Sequence, residues 1–407
     1  MPVTPDDIKQ AARLIEGSVI RTPLVYGDAL SRRLGTGIWV KHENMQLTHS
    51  FKARGALVKL LSLSEEERKR GVIAMSAGNH AQAVALHAQR LNIPALIVMP
   101  ETTPIVKIKE TEAFGAQIVL DGETLAESQV RAEKIAGEQG LTLVPPYDDD
   151  AIIAGQGTLA LEMLEDNPDL DIIVVPIGGG GLISGVSIAA KAIKPDITII
   201  GVEAALYPSM SGALKGEAAV CGGQTLAEGI AVKNVTPRTV EAVRAHVAEI
   251  VVVDEETLER AIYLFLNEHK TLAEGAGAAG LAAMLSRPDL FDGKKTGLVL
   301  CGGNMDTRIL ASVIFRSLGR EKQIISLRIE ISDRPGELGR VAGLIGNGRG
   351  NIVEVSHRRL FLDIPARQSM LDMMIETRGV EHAQEIISIL EKDGLTVRVL
   401  ESYGASS

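Results

Sequence analysis

The sequence predicts an α/β fold built on parallel sheets, followed by a smaller domain of the ferredoxin-like type. From about Gly71 onward, short runs rich in β-branched residues alternate with helical patterns, which is the strand and helix order of an α/β fold. Several of these runs are apolar on both faces, as strands covered by helices on both sides are. After about Gly319 the order changes to βαββαβ, which is the ferredoxin-like unit.

The elements of the first part follow from the spacing of apolar residues and from the residues at their ends. Thr103-Pro104 begins a helix that ends near Phe114-Gly115, because proline fits the first helical turn and glycine the position after the last. Further helices are predicted over 80–91, 123–137 and 255–267, and strands over 72–75, 93–99, 117–120, 172–177, 197–202, 250–253 and 297–301.

The second part begins with an alternation of apolar and polar residues over 325–331, which is typical of a half-buried strand. Arg320-Glu321-Lys322 is the predicted linker, so we expect domains over 1–319 and 320–407. The remaining predicted elements are strands over 352–360, 369–377 and 395–400 and helices over 335–345 and 380–390.

The composition excludes several classes of protein. With 45% hydrophobic and 23% charged residues, the chain of 407 residues is not disordered. A net charge of -10 without a basic patch argues against nucleic-acid binding. The N-terminus lacks a signal-peptide pattern, and the uncharged stretch 172–190 contains Pro176 and the four consecutive glycines 178–181, so no membrane span is expected. Two cysteines form no disulfide framework, so we expect a cytoplasmic protein with reduced thiols.

Two glycine-containing junctions between a strand and a helix suit anion binding. Free backbone N–H groups at Ser76-Ala77-Gly78-Asn79-His80 favour an anion, although an Asn cap beside a glycine turn explains this segment equally well. Gly178-Gly179-Gly180-Gly181-Leu182 lets several N–H groups converge on one phosphate. Ile183 stands where a dinucleotide-binding loop has its last glycine, and no Lys-Ser/Thr pair follows. The loop therefore predicts a small phosphorylated cofactor.

Four motifs in one order carry a resemblance to a known family. Ser50-Phe51-Lys52, the segment 76–80, the tetraglycine loop 178–181 and Cys301-Gly302-Gly303-Asn304 resemble those of fold type II pyridoxal-phosphate enzymes. Within that group the chain is similar to threonine ammonia-lyases and to their serine dehydratase and serine racemase relatives. The resemblance implies two α/β subdomains, as in the β subunit of tryptophan synthase, with pyridoxal 5'-phosphate in the cleft between them.

The resemblance also implies a role for each matching residue. Lys52 is the Schiff-base lysine, Phe51 packs beside the cofactor ring and Asn79 hydrogen-bonds the ring hydroxyl. Cys301 faces the pyridine nitrogen. The phosphate is held by Gly178, Gly179, Gly180, Gly181 and Leu182, and the substrate carboxylate by Ser76, Ala77, Gly78, Asn79 and His80.

The implied reaction is the deamination of L-threonine to 2-oxobutanoate and ammonium, in which Lys52 takes the α-proton. Serine racemases have a serine at the position of Ala77, and alanine has no proton to transfer, which favours elimination over racemisation. Cys301 is typical of animal serine dehydratases, so L-serine remains an alternative substrate. A β-replacement enzyme and a non-catalytic amino-acid sensor are further alternatives, and isoleucine synthesis and threonine breakdown are both open.

No metal site is predicted. Glu203 ends a strand, but residues 204–210 supply no second carboxylate. His80, His87 and His269 lack metal-ligand spacing and are interpreted as surface or core histidines. The segment 274–278 resembles a helix start near the cofactor, although its small residues suit close helix packing equally well.

The C-terminal part contains a motif that resembles the ligand loop of ACT domains, which are paired βαββαβ modules that bind amino acids. The motif joins 332–338 to 350–352, and an amino-acid effector would contact Asp333, Pro335, Gly336, Asn351 and Ile352. Isoleucine and valine are the implied effectors, and a module that only oligomerises is the alternative. By the same resemblance we expect a homotetramer.

Overall fold

The computed structural model describes residues 3–358 and 367–400, which form two compact units, Met1–Met305 and Asp306–Ser407. This boundary lies ahead of the predicted one at 319/320. Residues 307–319 were assigned to the first domain from the sequence, whereas helix Thr307–Arg320 belongs to the second unit in the structure.

Helices and strands alternate along the first unit, and short 3-10 turns lie at Glu43–Met45, Glu228–Ile230 and Pro288–Leu290. The helices are α1 (Pro5–Ile15), α2 (Asp28–Leu34), α3 (Lys52–Leu61), α4 (Glu65–Arg70), α5 (Asn79–Arg90), α6 (Ile105–Glu112), α7 (Leu125–Gln139), α8 (Asp150–Asp166), α9 (Gly181–Ile193), α10 (Ser209–Lys215), α11 (Pro237–His246), α12 (Glu255–Asn267) and α13 (Gly275–Ser286). The strands are β1 (Leu24–Tyr26), β2 (Gly37–His42), β3 (Val72–Met75), β4 (Ala95–Met99), β5 (Gln117–Leu120), β6 (Thr142–Leu143), β7 (Ile172–Pro176), β8 (Thr198–Ala204), β9 (Glu249–Val253) and β10 (Lys295–Leu300).

Two sheets carry the first unit, and both are built mainly of parallel strands, as predicted. One has the order β5-β4-β3-β6 and is parallel throughout. The other has the order β1-β2-β10-β7-β8-β9, in which only β1 is antiparallel to its neighbour. The predicted strands and helices from residue 72 onward are all present and differ only at their ends.

Strands β1 and β2 were not predicted from the sequence. β1 has only three residues, and its Val25 and Tyr26 are exposed. β2 ends in Lys41 and His42, both buried, which interrupts the apolar run that marks an interior strand. β2 pairs with β10, which is the last strand of the first unit and ends at Leu300. The sheet therefore joins a strand from the start of the chain to one about 260 residues later.

Helix α8 lies between α3 and α9 and brings their N-termini to one region. Glycines make the close approach possible: a Cβ on Gly155 of α8 would lie 2.6 Å from the Cα of Gly55 in α3. A Cβ on Gly185 of α9 would lie 2.2 Å from the backbone oxygen of Ile153 in α8. Lys52 begins α3 and the tetraglycine loop precedes α9, so this packing positions both motifs.

The second unit contains α14 (Thr307–Arg320), β11 (Ile324–Ser332), α15 (Glu337–Asn347), β12 (Asn351–Arg358), β13 (Gln368–Glu376), α16 (Val380–Lys392) and β14 (Thr396–Val399). The predicted βαββαβ order is confirmed, with an antiparallel sheet in the order β12-β13-β11-β14. Its core joins one face of β11 and β13 to α15 and α16. The end of the strand predicted over 352–360 lies outside the described residues.

No helix in the described part of the chain is long and apolar enough to cross a membrane.

Candidate active site

The lysine motif and the Cys301 motif lie side by side in the structure. Ser50 forms a β-bridge with Gly302, and Phe51 donates its backbone N–H to the oxygen of Cys301 over 3.0 Å. Gly303 donates in turn to the backbone oxygen of His49. The chain therefore enters α3, and reaches Lys52, directly from this pairing.

The ammonium group of Lys52 is withdrawn from water. Its Nζ donates to the backbone oxygen of Pro146 over 2.6 Å and lies 5.1 Å from the centre of the Phe51 ring. Loss of solvation lowers the pKa of Lys52 to about 8, although the neighbouring Cys301 and Glu274 act to raise it. A pKa of this size makes about one tenth of the side chain a neutral, nucleophilic amine at pH 7.

Asn79 belongs to a hydrogen-bonded side-chain cluster. Its Nδ2 donates to Oε1 of Glu274 over 2.8 Å, and its Oδ1 accepts from Nδ2 of Asn304 over 2.7 Å. The alternative in which Asn79 caps helix α5 is wrong, because α5 begins at Asn79 and the capping position is Gly78. The side chain of Asn79 is thereby available for other partners.

Glu274 and Cys301 add two ionisable groups whose neutral forms are favoured by burial. Burial raises the pKa of Glu274 to about 7, while the hydrogen bond from Asn79 acts in the opposite direction. Burial also raises the pKa of the Cys301 thiol well above its usual range, and Glu274 raises it further. A Cβ on Gly302 would lie 2.3 Å from Oε1 of Glu274, so the backbone and this carboxyl group are in close contact.

The loop Ser76–Gly78 borders open space at the start of α5. Ser76 Oγ accepts from the backbone N–H of Gly78 over 3.2 Å, and a Cβ on Gly78 would meet no atom within 4 Å. The His80 side chain is instead buried and lies 2.8 Å, Nε2 to oxygen, from the backbone of Val144. Burial lowers the pKa of His80 to about 3, which favours its interpretation as a core residue.

The tetraglycine loop joins β7 to α9 and is packed against Tyr147. A Cβ on Gly179 would lie 2.3 Å from the Tyr147 ring, and one on Gly181 would lie 2.8 Å from the Tyr147 backbone oxygen. Gly180 has φ +92, a left-handed conformation that favours glycine. The glycines thus have a packing reason as well as the predicted role at the helix N-terminus, where backbone N–H groups attract anions. Leu182 is the second residue of α9 and its side chain is buried.

Together these groups fit pyridoxal phosphate. The amine of Lys52 suits its aldehyde, the neutral thiol of Cys301 its pyridine nitrogen, and the Nδ2 of Asn79 its ring hydroxyl. The N-terminus of α9 after the tetraglycine loop suits its phosphate. The roles that the sequence assigns to individual residues remain predictions. Sequence reasoning missed Pro146, Tyr147 and the link from Asn79 to Asn304, because no local pattern marks a contact between distant segments.

Glu203 serves a local purpose. Its carboxylate accepts from the backbone N–H groups of Met210 and Ser211 at the start of α10, over 2.6 and 2.9 Å. Within residues 3–358 and 367–400, no three His, Cys, Asp or Glu side chains are grouped so as to hold a metal ion. Two histidines that the sequence leaves as surface or core residues are buried or half-buried: His87 in α5, and His269, whose ring stacks on that of His42.

The residues assigned to an effector lie at two element starts of the second unit. Gly336, with φ +93, precedes α15, and Asp333 donates its backbone N–H to the oxygen of Arg367. Asn351 begins β12, and its Nδ2 donates to Glu376 over 2.9 Å. Ile352 is half-buried against the core, and Pro335 lies in the turn before α15. Their role as an effector site remains a prediction.

Comparison with known proteins settles the family. Residues 15–302 match the family of pyridoxal-phosphate dependent enzymes. The chain belongs to this family. The predicted cofactor and fold class are thereby confirmed, and the enzyme depends on pyridoxal phosphate.

Similar proteins extend over nearly the whole chain of this pyridoxal-phosphate enzyme. It is 43% identical over 400 residues to the L-threonine ammonia-lyase of Thermotoga maritima, a match that covers 98% of this chain and 100% of that protein. It is 41% identical over 396 residues to the protein of the same name from Geobacter sulfurreducens, covering 97% and 98%.

Solved structures agree on the fold of the first unit. The processed form of threonine deaminase isoform 2 from Solanum lycopersicum superposes with a TM-score of 0.71 at 36% identity, over 77% of this chain and 90% of that one. Maize serine racemase superposes with a TM-score of 0.73 at 32% identity, over 79% and 100%.

Proposed function

We propose that this enzyme deaminates L-threonine to 2-oxobutanoate and ammonium. The observation that carries the proposal is the Lys52 amine, whose pKa of about 8 is set by its withdrawal from water, beside the Asn79–Glu274 pair and the neutral Cys301 thiol. Two relatives named L-threonine ammonia-lyase, at 41% and 43% identity over nearly the full chain, support the choice of substrate.

The cofactor would be held by Lys52 through Nζ, by Phe51 and Asn79 at its ring, by the segment 178–182 at its phosphate and by Cys301 at its pyridine nitrogen. When bound, pyridoxal phosphate supplies an electron sink for the negative charge that develops at the substrate Cα. A neutral thiol at the nitrogen, in contrast to a carboxylate, would place no negative charge there and would leave the nitrogen largely unprotonated.

Lys52 is the proposed base. A neutral Nζ accepts a proton from the substrate Cα, and a lysine pKa near 8 keeps part of the population in the required form at neutral pH. The carbonyl of Pro146 holds Nζ at 2.6 Å and thus limits the directions in which the amine can point. The backbone N–H groups of the loop 76–79 would bind the substrate carboxylate at the start of α5.

The choice among related reactions depends on two residues. Ala77 has no proton to deliver to the second face of Cα, which disfavours racemisation. Cys301 favours L-serine as the second candidate substrate, because serine dehydratases have cysteine at this position by resemblance. One methyl group separates the two substrates, and a pocket discriminates such a difference by about 1–3 kcal/mol.

The second unit is proposed to be an ACT-type regulatory module. Its βαββαβ order and the loop 332–338 support this assignment. Isoleucine or valine is the proposed effector, at Asp333, Pro335, Gly336, Asn351 and Ile352. A homotetramer is proposed by analogy with regulated threonine ammonia-lyases. A cytoplasmic location is proposed from the low cysteine content of the chain.

The decisive experiment measures release of 2-oxo acid from L-threonine and from L-serine by the purified enzyme with pyridoxal phosphate. We expect a higher kcat/KM for L-threonine, and no turnover by Lys52→Ala. Lys59→Ala is the matched control, since Lys59 lies on the same helix and pairs with Asp149. A higher kcat/KM for L-serine would move the function to serine breakdown. An enzyme that releases neither product would contradict the proposal.

A further inference from the structure

A chain of side-chain amides runs from helix α6 to the start of α5 and ends at Glu274. Gln82 donates from Nε2 to Glu110 over 2.9 Å. Asn304 then donates from Nδ2 to Oδ1 of Asn79 over 2.7 Å, with a longer contact of 3.4 Å to Oε1 of Gln82. Asn79 donates from Nδ2 to Glu274 over 2.8 Å. Gln82 is buried, and it lies on α5 one turn after Asn79.

One fixed acceptor decides which way these amides point. The backbone oxygen of Thr48 can only accept, and Asn304 donates to it over 2.9 Å, so Nδ2 of Asn304 must face Thr48 and Asn79. The carboxyl oxygen of Glu274 likewise accepts from Asn79. A rotation of the Asn79 amide by half a turn would set its oxygen against Glu274 and its N–H groups against those of Asn304. The contact between the N–H groups of Asn79 and Asn304 would then be repulsive.

We propose that Asn304 is a positioning residue for the cofactor, because it fixes the amide of Asn79 so that Nδ2, and not Oδ1, is presented to the ring oxygen of pyridoxal phosphate. This inference rests on the proposed role of Asn79. Nδ2 carries two hydrogens. One of them is donated in the hydrogen bond to Glu274, which leaves the other to be donated to the cofactor. In this proposal Asn304 acts on the cofactor through Asn79 and does not itself contact the substrate.

The surroundings leave the cluster little room to rearrange. A Cβ on Gly302 would lie 2.3 Å from Oε1 of Glu274 and 3.2 Å from Nδ2 of Asn79. Gly303, the next residue, is held by its hydrogen bond to the backbone of His49. The backbone before Asn304 is thus packed directly against Asn79, which the Asn304 side chain orients, and against its partner Glu274.

The test substitutes Asn304→Asp, which keeps the size of the side chain and replaces the donor by an acceptor. Apoprotein is titrated with pyridoxal phosphate to obtain its Kd, and the visible absorbance of the holoenzyme is then followed against pH. A donor to the ring oxygen favours its anionic form. We expect the Kd to rise at least about tenfold. The pH midpoint should rise by about one unit.

The other charged groups at the site are the same in both proteins. Lys52, Cys301 and Glu274 lie close enough to act on one another electrostatically, and Lys107 and Glu228 act on Glu274 from α6 and from the 3-10 turn at 228–230. Should Asn304→Asp not fold, Asn304→Ala removes the donor without adding charge. It is expected to shift the Kd and the midpoint in the same direction by a smaller amount.

Asn44→Asp is the matched control. Asn44, in the 3-10 turn Glu43–Met45, is a second side-chain amide beside Gly303, but its Nδ2 donates to Thr271 and Leu272. The Kd of Asn44→Asp should stay within about twofold of the wild-type value, and its pH midpoint within about a few tenths of a unit. In an Asn79→Ala background, Asn304→Asp should change neither the Kd nor the pH midpoint further, because the Asn79 amide through which Asn304 acts on the cofactor is gone.

Three results would overturn the inference: a wild-type Kd and midpoint in both Asn304 variants, an equal shift in Asn44→Asp, or an undiminished shift in the Asn79→Ala background. A wild-type protein that binds the cofactor but does not deaminate L-threonine would instead count against the proposed function and leave the titration valid.

Discussion

Gly55 and Gly155 are in direct backbone contact where α3 crosses α8. A Cβ on Gly155 would lie 2.6 Å from the Cα of Gly55 and 3.0 Å from the backbone oxygen of Arg54. Backbone atoms cannot move aside as a flexible side chain can. The start of α3, and with it Lys52, is therefore positioned by the absence of two side chains from this crossing.

We expect Gly155→Ala to push α3 away from α8, to lower the free energy of unfolding by about 1–3 kcal/mol and to reduce kcat. Gly137→Ala is the control, since Gly137 lies in the exposed face of α7 and its Cβ would meet no atom within 4 Å. That exchange should raise the stability by about 0.5–1 kcal/mol. Urea unfolding and steady-state kinetics measure both. Equal stabilities for the two variants would contradict the argument.

Arg54 forms the centre of a buried ionic network behind Lys52. It donates to Glu43 and to Glu162, and Lys41 also contacts Glu162. Arg54, Lys41 and Glu43 are all fully buried. Burial alone would raise the pKa of Glu43, but the charge and hydrogen bonds of Arg54 hold it below its usual value.

Glu43→Gln should therefore be strongly destabilising, by about 3–5 kcal/mol, because it leaves the two buried cations Arg54 and Lys41 with Glu162 as the one carboxylate of the network. Glu165→Gln should cost at most about 1 kcal/mol, because its ion pair with Arg21 is exposed. The midpoint of urea unfolding compares the two. A loss of the same small size in both would show that water reaches Arg54.

The elements that were predicted correctly are those that a local residue pattern determines. β7 has a run of five buried residues and the sequence identified it, as it did helix α12. Strand β2 was missed because the Lys41 and His42 side chains are buried by partners elsewhere in the chain. The link between Asn79 and Asn304 spans more than 200 residues, and no spacing rule indicates it. Such contacts depend on tertiary packing, and the sequence alone does not indicate which of its side-chain amides is the partner of Asn79.

Acid should destabilise the first unit through its buried histidines. Burial lowers the pKa of His87 to about 4, from an ordinary value near 6.5. Below pH 6.5 the unfolded chain binds a proton that the folded chain does not, so the free energy of unfolding falls as the pH drops toward 4. The full effect of one such histidine is roughly 3 kcal/mol.

Accordingly, His87→Gln should flatten the decline in stability between pH 6.5 and 4, measured by urea unfolding at a series of pH values. His357→Gln serves for comparison, because His357 lies on β12 of the second unit and is half-buried beside Ser369. It should leave the decline in the first unit unchanged. A slope in His87→Gln identical to that of the wild type would mean that His87 is protonated in the folded protein.

Tyr147 is expected to support phosphate binding although it carries no charge. Its ring fills the space beside Gly179, where an added Cβ would lie 2.3 Å away, and its O–H donates to the backbone oxygen of Asn234 over 3.0 Å. Tyr147→Ala would leave a void beside the loop, and the N–H groups of 178–182 would no longer be held in one arrangement. We expect the Kd for pyridoxal phosphate to rise about tenfold or more.

Tyr147→Phe keeps the ring and loses one hydrogen bond, so its Kd should change by less than about threefold. Titration of the two apoproteins with the cofactor distinguishes them. If both variants bind equally well, the loop keeps its shape without the ring, and the glycines alone set the phosphate site.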